Sequence, residues 1–149
     1  MLKDKIQEDL KAAMLAKEEL KLSTIRMLKS AIQYYEIQKG GAGYEATDEA
    51  IIEVIGREIK KRRESIEMFE KGRRQELADK ERKELEILQN YLPEQLDENA
   101  IRVLVDEVIS KTGATTMQDM GKVMGELMPS TRGKADGQLV ISIVKEKLG

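Results

Sequence analysis

The apolar residues of this chain recur at steps of three and four over almost its whole length, the spacing of one face of an α-helix. Leu2, Ile6, Leu10, Ala13 and Met14 predict a first amphipathic helix ending near Lys17. Leu22, Ile25, Leu28, Ala31, Ile32 and Tyr35 predict a second, which stops at Gly40-Gly41-Ala42-Gly43, read as a flexible loop. Thr47 or Asp48 can cap a third helix carrying Ile51, Ile55, Ile59, Ile66 and Phe69, with Gly72 as its C-terminal stop. A fourth runs from about Arg74 to Tyr91 with Leu77, Leu85, Leu88 and Leu92 facing inward. The third and fourth form a long antiparallel hairpin over residues 48–91.

One position interrupts this pattern. At 100° per residue Arg62 falls inside the stripe of Ile55, Ile59, Ile66 and Phe69, and Glu81 and Glu84 fall inside the Leu77/Leu85/Leu88 stripe. Folding at Gly72 sets residue 62 opposite residues near 82. The pattern predicts an ion pair of Arg62 with Glu81 or Glu84 in the hairpin seam, either a register lock or a charged site between helices.

Two prolines, Pro93 and Pro129, punctuate the chain. A boundary falls at residues 91–96, giving an N-terminal helical domain over 1–93 and a small three-helix domain over 96–149. In the second, Asp97 can cap a helix over 98–111 carrying Ile101, Leu104, Val105, Val108 and Ile109. Thr116 followed by Asp119 reads as a capping box that opens a helix over 117–128, with Met120, Val123, Met124 and Leu127 on one side. Pro129 then opens a loop through Gly133. Asp136 can cap a last helix carrying Leu139, Val140, Ile143, Val144 and Leu148. The fold class expected is therefore all-α.

Composition narrows the chemistry. There is no histidine and no cysteine among 149 residues. That removes disulfides, thiol nucleophiles, the Ser-His-Asp triad and most transition-metal sites. A chain that is catalytic alone is not expected, nor is a metal or a cofactor. Residues 1–95 carry 19 basic and 20 acidic groups, and 96–149 carry 7 and 8, so each part is −1 and nucleic-acid affinity must come from local patches. The charged start and the lack of a long apolar run lead us to expect a cytoplasmic monomer that does not engage a membrane.

Three constellations carry candidate chemistry. Arg57, Lys60, Lys61 and Arg63, with Arg73 and Arg74 at the hairpin tip, form a basic cluster of the kind that meets phosphates or lies as a solvated helix face. Met117, Met120, Met124 and Met128 line one helix, as core or as an adaptable partner surface. On that helix Gly121 and Gly125 allow backbone to approach another helix or a ligand. Thr131-Arg132-Gly133-Lys134-Ala135-Asp136-Gly137 leads into a helix N-terminus, an ordinary turn that could also hold a phosphate. It lacks Walker A spacing, and Asp136 as cap would occupy one of the N–H groups.

Five segments, in order, resemble the bacterial YqeY family along essentially the whole chain. They are Leu22-Ser23-Thr24-Ile25-Arg26-Met27-Leu28-Lys29, Ile59-Lys60-Lys61-Arg62-Arg63-Glu64-Ser65 with Phe69-Glu70-Lys71-Gly72-Arg73, Tyr91-Leu92-Pro93-Glu94-Gln95-Leu96, Asp119-Met120-Gly121-Lys122-Val123-Met124-Gly125, and Gly133-Lys134-Ala135-Asp136-Gly137. The family is similar to the C-terminal tail of GatB, a subunit of the tRNA-dependent amidotransferase, where that tail helps hold the tRNA. The resemblance implies a helical tRNA-associated module and carries no amidotransferase active site. It implies a contact surface at Gly121, Lys122, Met124, Gly125, Gly133, Lys134, Asp136 and Gly137. Where the family commonly shows Arg, this chain has Lys134, a point charge in place of a bidentate grip. With Arg132 added, the expectation is noncatalytic binding of tRNA or another structured RNA, by shape and charge, with bases read poorly because aromatics are scarce. The alternatives are a protein–protein adaptor and an accessory part of a carbon–nitrogen ligase that uses glutamine as amido donor with partner subunits.

Overall fold

In the computed structural model, which describes residues 1–41 and 43–149, the periodic segments fold as helices. They are α1 Leu2–Leu15, α2 Glu19–Gly40, α3 Asp48–Lys71, α4 Gln75–Gln89, α5 Glu98–Thr112, α6 Met120–Thr131 and α7 Gly137–Leu148, with a 3-10 turn Met117–Asp119 leading into α6. No strand occurs among the described residues, and the protein is all-α. No helix among them is long and apolar enough to cross a membrane.

The chain divides into two compact units, Met1–Leu92 and Pro93–Gly149. The first packs α1 to α4 around Ile6, Ile25, Leu28, Ile32, Ile51, Ile55, Ile59 and Leu88. The second packs α5 to α7 around Ile101, Val105, Val123, Leu127, Val140, Ile143 and Val144. Apolar burial of this kind, about 1.5–3 kcal/mol per fully buried aliphatic side chain, drives both units.

Polar residues fix the helix ends. The Thr47 side chain accepts from Ala50 N, Asp97 from Ala100 N at 2.7 Å, and Asp136 from Gln138 N. No side chain of its own caps α1; instead Asp48 Oδ1, at the start of α3, accepts from Leu2 N at 3.1 Å. Tyr91, 9% exposed, donates to Asp9 Oδ2 at 2.6 Å and ties the end of α4 to α1.

α3 stops at Gly72 as expected, but not through a left-handed glycine. Gly72 has an ordinary φ of −82°, and the left-handed residue is Arg73, φ +57°. Arg74 N donates to Phe69 O and Arg73 N to Glu70 O, the paired bonds of a Schellman motif. α1 ends the same way: Lys17 has φ +58°, Glu18 N donates to Ala13 O and Lys17 N to Met14 O. In both turns a long cation occupies the position that favours glycine.

Three other expectations are corrected. Leu77 does not face inward: it is 39% exposed, and Ala78, one step and 100° further round, is fully buried against α3. A methyl group there lets the hairpin helices approach closely near the tip. Pro129 is not in a loop; it lies in the last turn of α6, where its missing N–H deprives Gly125 O of the usual i+4 donor. Of the glycine segment, Gly40 still belongs to α2, under the Tyr44 ring, where an added Cβ would stand 2.6 Å from the Tyr44 Cβ. Ala42 of that segment lies outside the described residues.

Candidate functional site

In the second unit, α6 is entered through Asp119, whose Oδ2 accepts from Thr115 N at 3.0 Å and Thr116 N at 3.3 Å. Those two N–H donors, aided by the Lys122 charge, hold the Asp119 carboxyl below its ordinary range. Lys122 is exposed, and its Nζ lies 3.5 Å from Thr112 O at the C-terminal end of α5, the end of a helix that favours a cation. Val123 and Leu127 fill the core, with Met120 and Met124 packed beside them.

The opposite side of α6 is bare. Gly121 and Gly125 share a face, both are exposed, and a Cβ built on either would meet nothing within 4 Å. Their small size therefore serves no packing against another helix of the described chain. Met117 and Met128, 43% and 50% exposed, bracket this stripe. The methionines thus divide, two inward and two outward. Met124, which the resemblance places at the contact surface, is turned instead toward the core because it shares the phase of Val123 and Leu127.

After α6 the chain turns sharply. Gly133 has φ +75°, and Lys134 N and Ala135 N both donate to Thr131 O. The segment 93–96 pins this turn: Leu96 N donates to Lys134 O at 2.8 Å, and Gln95 Nε2 donates to Gly133 O at 2.9 Å and Pro93 O at 2.8 Å. Arg132 and Lys134 are exposed on it. Asp136 takes the Gln138 N–H, and its carboxylate stands where a phosphate would dock, so the start of α7 at Gly137 is occupied by its own cap. The exposed groups of this unit near that turn are the α6 stripe with Lys122, and Lys134 and Arg132 on the turn itself. Spacing does not mark Gln95 and Leu96 as site residues, because their bonds span 38 residues. The only signal was their place in one of the family-like segments.

In the first unit, Arg57, Lys60, Lys61 and Arg63 are exposed on α3, and Arg73 and Arg74 are exposed at the hairpin tip. Arg57 pairs with Glu53 at 2.7 Å and Lys61 with Glu58 at 3.2 Å. Arg62 is buried between α3 and α4. Its Nε lies 3.3 Å from Glu84 Oε2, and its Nη1 lies 3.6 Å from Glu58 Oε1 and donates to Glu58 O. The structure thus pairs Arg62 with Glu84 rather than with Glu81. The Glu81 carboxyl is raised above the usual range by burial and then by the Glu84 charge, with Arg62 opposing. Among the described residues no buried side-chain N or O lacks a partner. This closed network has the geometry of a register lock.

Comparison with known proteins places these features in a family. The family described as Yqey-like protein matches residues 3–148. Three fungal proteins, each named "Altered inheritance of mitochondria protein 41, mitochondrial", are similar to this chain. That of Kluyveromyces lactis is 34% identical over 132 residues, covering 83% of this chain and 70% of its own. That of Pyrenophora tritici-repentis is 32% identical over 148 residues, covering 97% and 80%. That of Saccharomyces cerevisiae is 30% identical over 152 residues, covering 95% and 80%. With a match that spans both units and every helix, the chain belongs to the YqeY-like family.

Proposed function

We propose that this chain is a noncatalytic RNA-binding protein that takes tRNA, or another structured RNA, on the outer face of its second unit. The observation that carries the reading is the bare stripe of α6. Two exposed glycines with open space above them serve no internal packing, and exposed Lys122 stands beside them. A phosphate–sugar backbone can approach such a stripe closely, while Lys122, Arg132 and Lys134 supply positive charge. The resemblance to the GatB tail supports tRNA as the RNA and association with tRNA amidation as the setting. The same resemblance is the sole support for an accessory role in a carbon–nitrogen ligase. The fungal relatives are named as mitochondrial, so the compartment we propose is one that houses translation, cytoplasm or organelle.

The test is binding to bulk tRNA across a salt series. Affinity should fall steeply, with a log–log slope of about −0.7 to −0.9 per phosphate neutralised. Lys122→Glu with Lys134→Glu should abolish binding at moderate salt. Undetectable binding at low salt, or binding unchanged by the charge reversals, would overturn the reading.

A second reading has its own observation. Exposed Met117 and Met128 at either end of the glycine stripe would also suit a partner helix laid across α6. A partner retained after nuclease treatment and lost in Met128→Glu would favour this adaptor role.

A further inference from the structure

Scarce aromatics argue against base recognition only if those present are buried. Tyr34 is not: it is 64% exposed on α2. Gln38 Nε2, one turn later, donates to its hydroxyl at 2.8 Å. The ring stands at an open groove of about 380 Å³ between α2 and α3, within the roughly 300–1,000 Å³ of clefts that bind small molecules. Met27, Ala31 and Val54 form its apolar lining, and Arg57, Glu58 and Lys61 come from α3. Tyr35 also lines the groove, and the Lys39 Nζ stands 5.8 Å from the centre of its ring.

The charges favour an anion. Arg57 is exposed and contacts Glu53 through a surface pair, which exchanges readily for a phosphate, and exposed Lys61 reaches the largely buried Glu58 at 3.2 Å. The one carboxylate in the lining, Glu58, has a side chain only 11% exposed and is offset from beneath by buried Arg62. Arg62 also approaches Met27 Sδ at 3.6 Å, so the buried network supports the wall of the groove. An exposed aromatic face, apolar lining and two cations are the parts of a single-strand binding site: stacking for a base, positive charge for its phosphate. A partner helix would instead call for a continuous apolar strip, which Gln38, Arg57 and Lys61 interrupt.

We propose that this groove holds one unpaired nucleotide of an RNA strand, its base against Tyr34 and its phosphate between Arg57 and Lys61. The groove belongs to the first unit and is independent of the glycine stripe of the second.

The test uses the full chain, which has four tyrosines and no tryptophan, so tyrosine fluorescence can be followed on titration. The probe is a 5′-phosphorylated uridine hexanucleotide, with uridine monophosphate and a blunt RNA duplex as comparisons. The hexanucleotide should quench and bind more tightly than either. Tyr34→Leu should weaken it about tenfold or more, because a stacked base is lost. Tyr34→Phe should retain most of the affinity, and Arg57→Glu should lose it. Tyr34 and Arg57 are exposed, so helicity and thermal midpoint should stay at the wild-type value and exclude misfolding as the cause. In the background of Lys122→Glu with Lys134→Glu, adding Tyr34→Leu should still weaken hexanucleotide binding by the same factor, which separates this groove from the tRNA surface. No binding by wild type, equal binding of the duplex, or unchanged binding by Tyr34→Leu would each overturn the proposal.

Discussion

The Arg62 guanidinium and the Glu84 carboxylate meet 3.3 Å apart inside the α3–α4 hairpin, with both side chains under a tenth exposed. Two ionised groups so placed have given up most of their water, and their value to stability depends on staying paired. Arg62→Ala leaves Glu84 with a buried charge and should destabilise the first unit by about 3–5 kcal/mol. Replacing both, Arg62→Met with Glu84→Leu, should cost far less or even stabilise. Urea unfolding of the two single variants and the double variant, combined as a cycle, measures the coupling. Equal and additive losses would show that the pair is not coupled.

That pair also shows how far the sequence could be read. Arg62 stood out because a cation fell on an apolar stripe, and periodicity alone reveals that. Which glutamate it meets depends on the crossing of α3 and α4, to which Glu81 and Glu84 are equivalent on paper. The helices and caps were legible because their causes are local: Thr47, Asp97 and Asp136 each bond an N–H two or three residues away. Gln95 holding Gly133, or Tyr34 facing Arg57 across a groove, has no local cause, so neither arrangement could be read from spacing.

Glu81 gives the hairpin a pH dependence of defined sign. Its folded carboxyl is raised by burial and by Glu84, with Arg62 and Lys80 opposing, so the folded state holds a proton that the unfolded chain has released. The contribution of Glu81 is therefore fully present below the ordinary carboxylate value. It is lost as pH rises through the raised one. Glu81→Gln cannot ionise and should remove that decline, making the variant the more stable partner at neutral pH. Thermal midpoints of the two proteins, compared from acid to neutral pH, check it; parallel curves would contradict it.

Tyr91 should be the last tyrosine to ionise. Burial, then its bond to Asp9 and the Asp9 charge, raise the phenol well above its usual range. In an alkaline titration followed by phenolate absorbance, the final step should vanish in Tyr91→Phe. The same variant leaves Asp9 without its 2.6 Å donor and should lose about 1.5–3 kcal/mol of stability, the range for a hydrogen bond to a charged group.

Lys17 and Arg73 hold left-handed backbone at positions that suit glycine, with φ +58° and +57°. The left-handed region costs an L-residue about 1–2 kcal/mol, part of which returns as unfolded-state entropy when glycine replaces it. Lys17→Gly and Arg73→Gly should each stabilise by about 0.5–1 kcal/mol, additively because they close different turns. Denaturant midpoints measure this directly. Destabilisation by Arg73→Gly would mean that its side chain does more for the hairpin tip than its backbone costs.

Gly121 and Gly125 separate stability from function. Each is helical with open space where a Cβ would stand, so alanine meets no clash. Alanine also reduces the freedom of the unfolded chain, and each substitution should raise stability by about 0.4–1 kcal/mol. If the stripe is where RNA backbone approaches, the same methyl groups stand in its way. The double variant Gly121→Ala with Gly125→Ala should melt at a higher temperature and yet bind tRNA more weakly than the wild type. Lys122→Ala, which keeps the glycines, should lower affinity and flatten the salt dependence by about one phosphate contact. A double alanine variant that is both more stable and undiminished in tRNA binding would remove α6 from the contact surface and leave the turn at Arg132 and Lys134 to carry it.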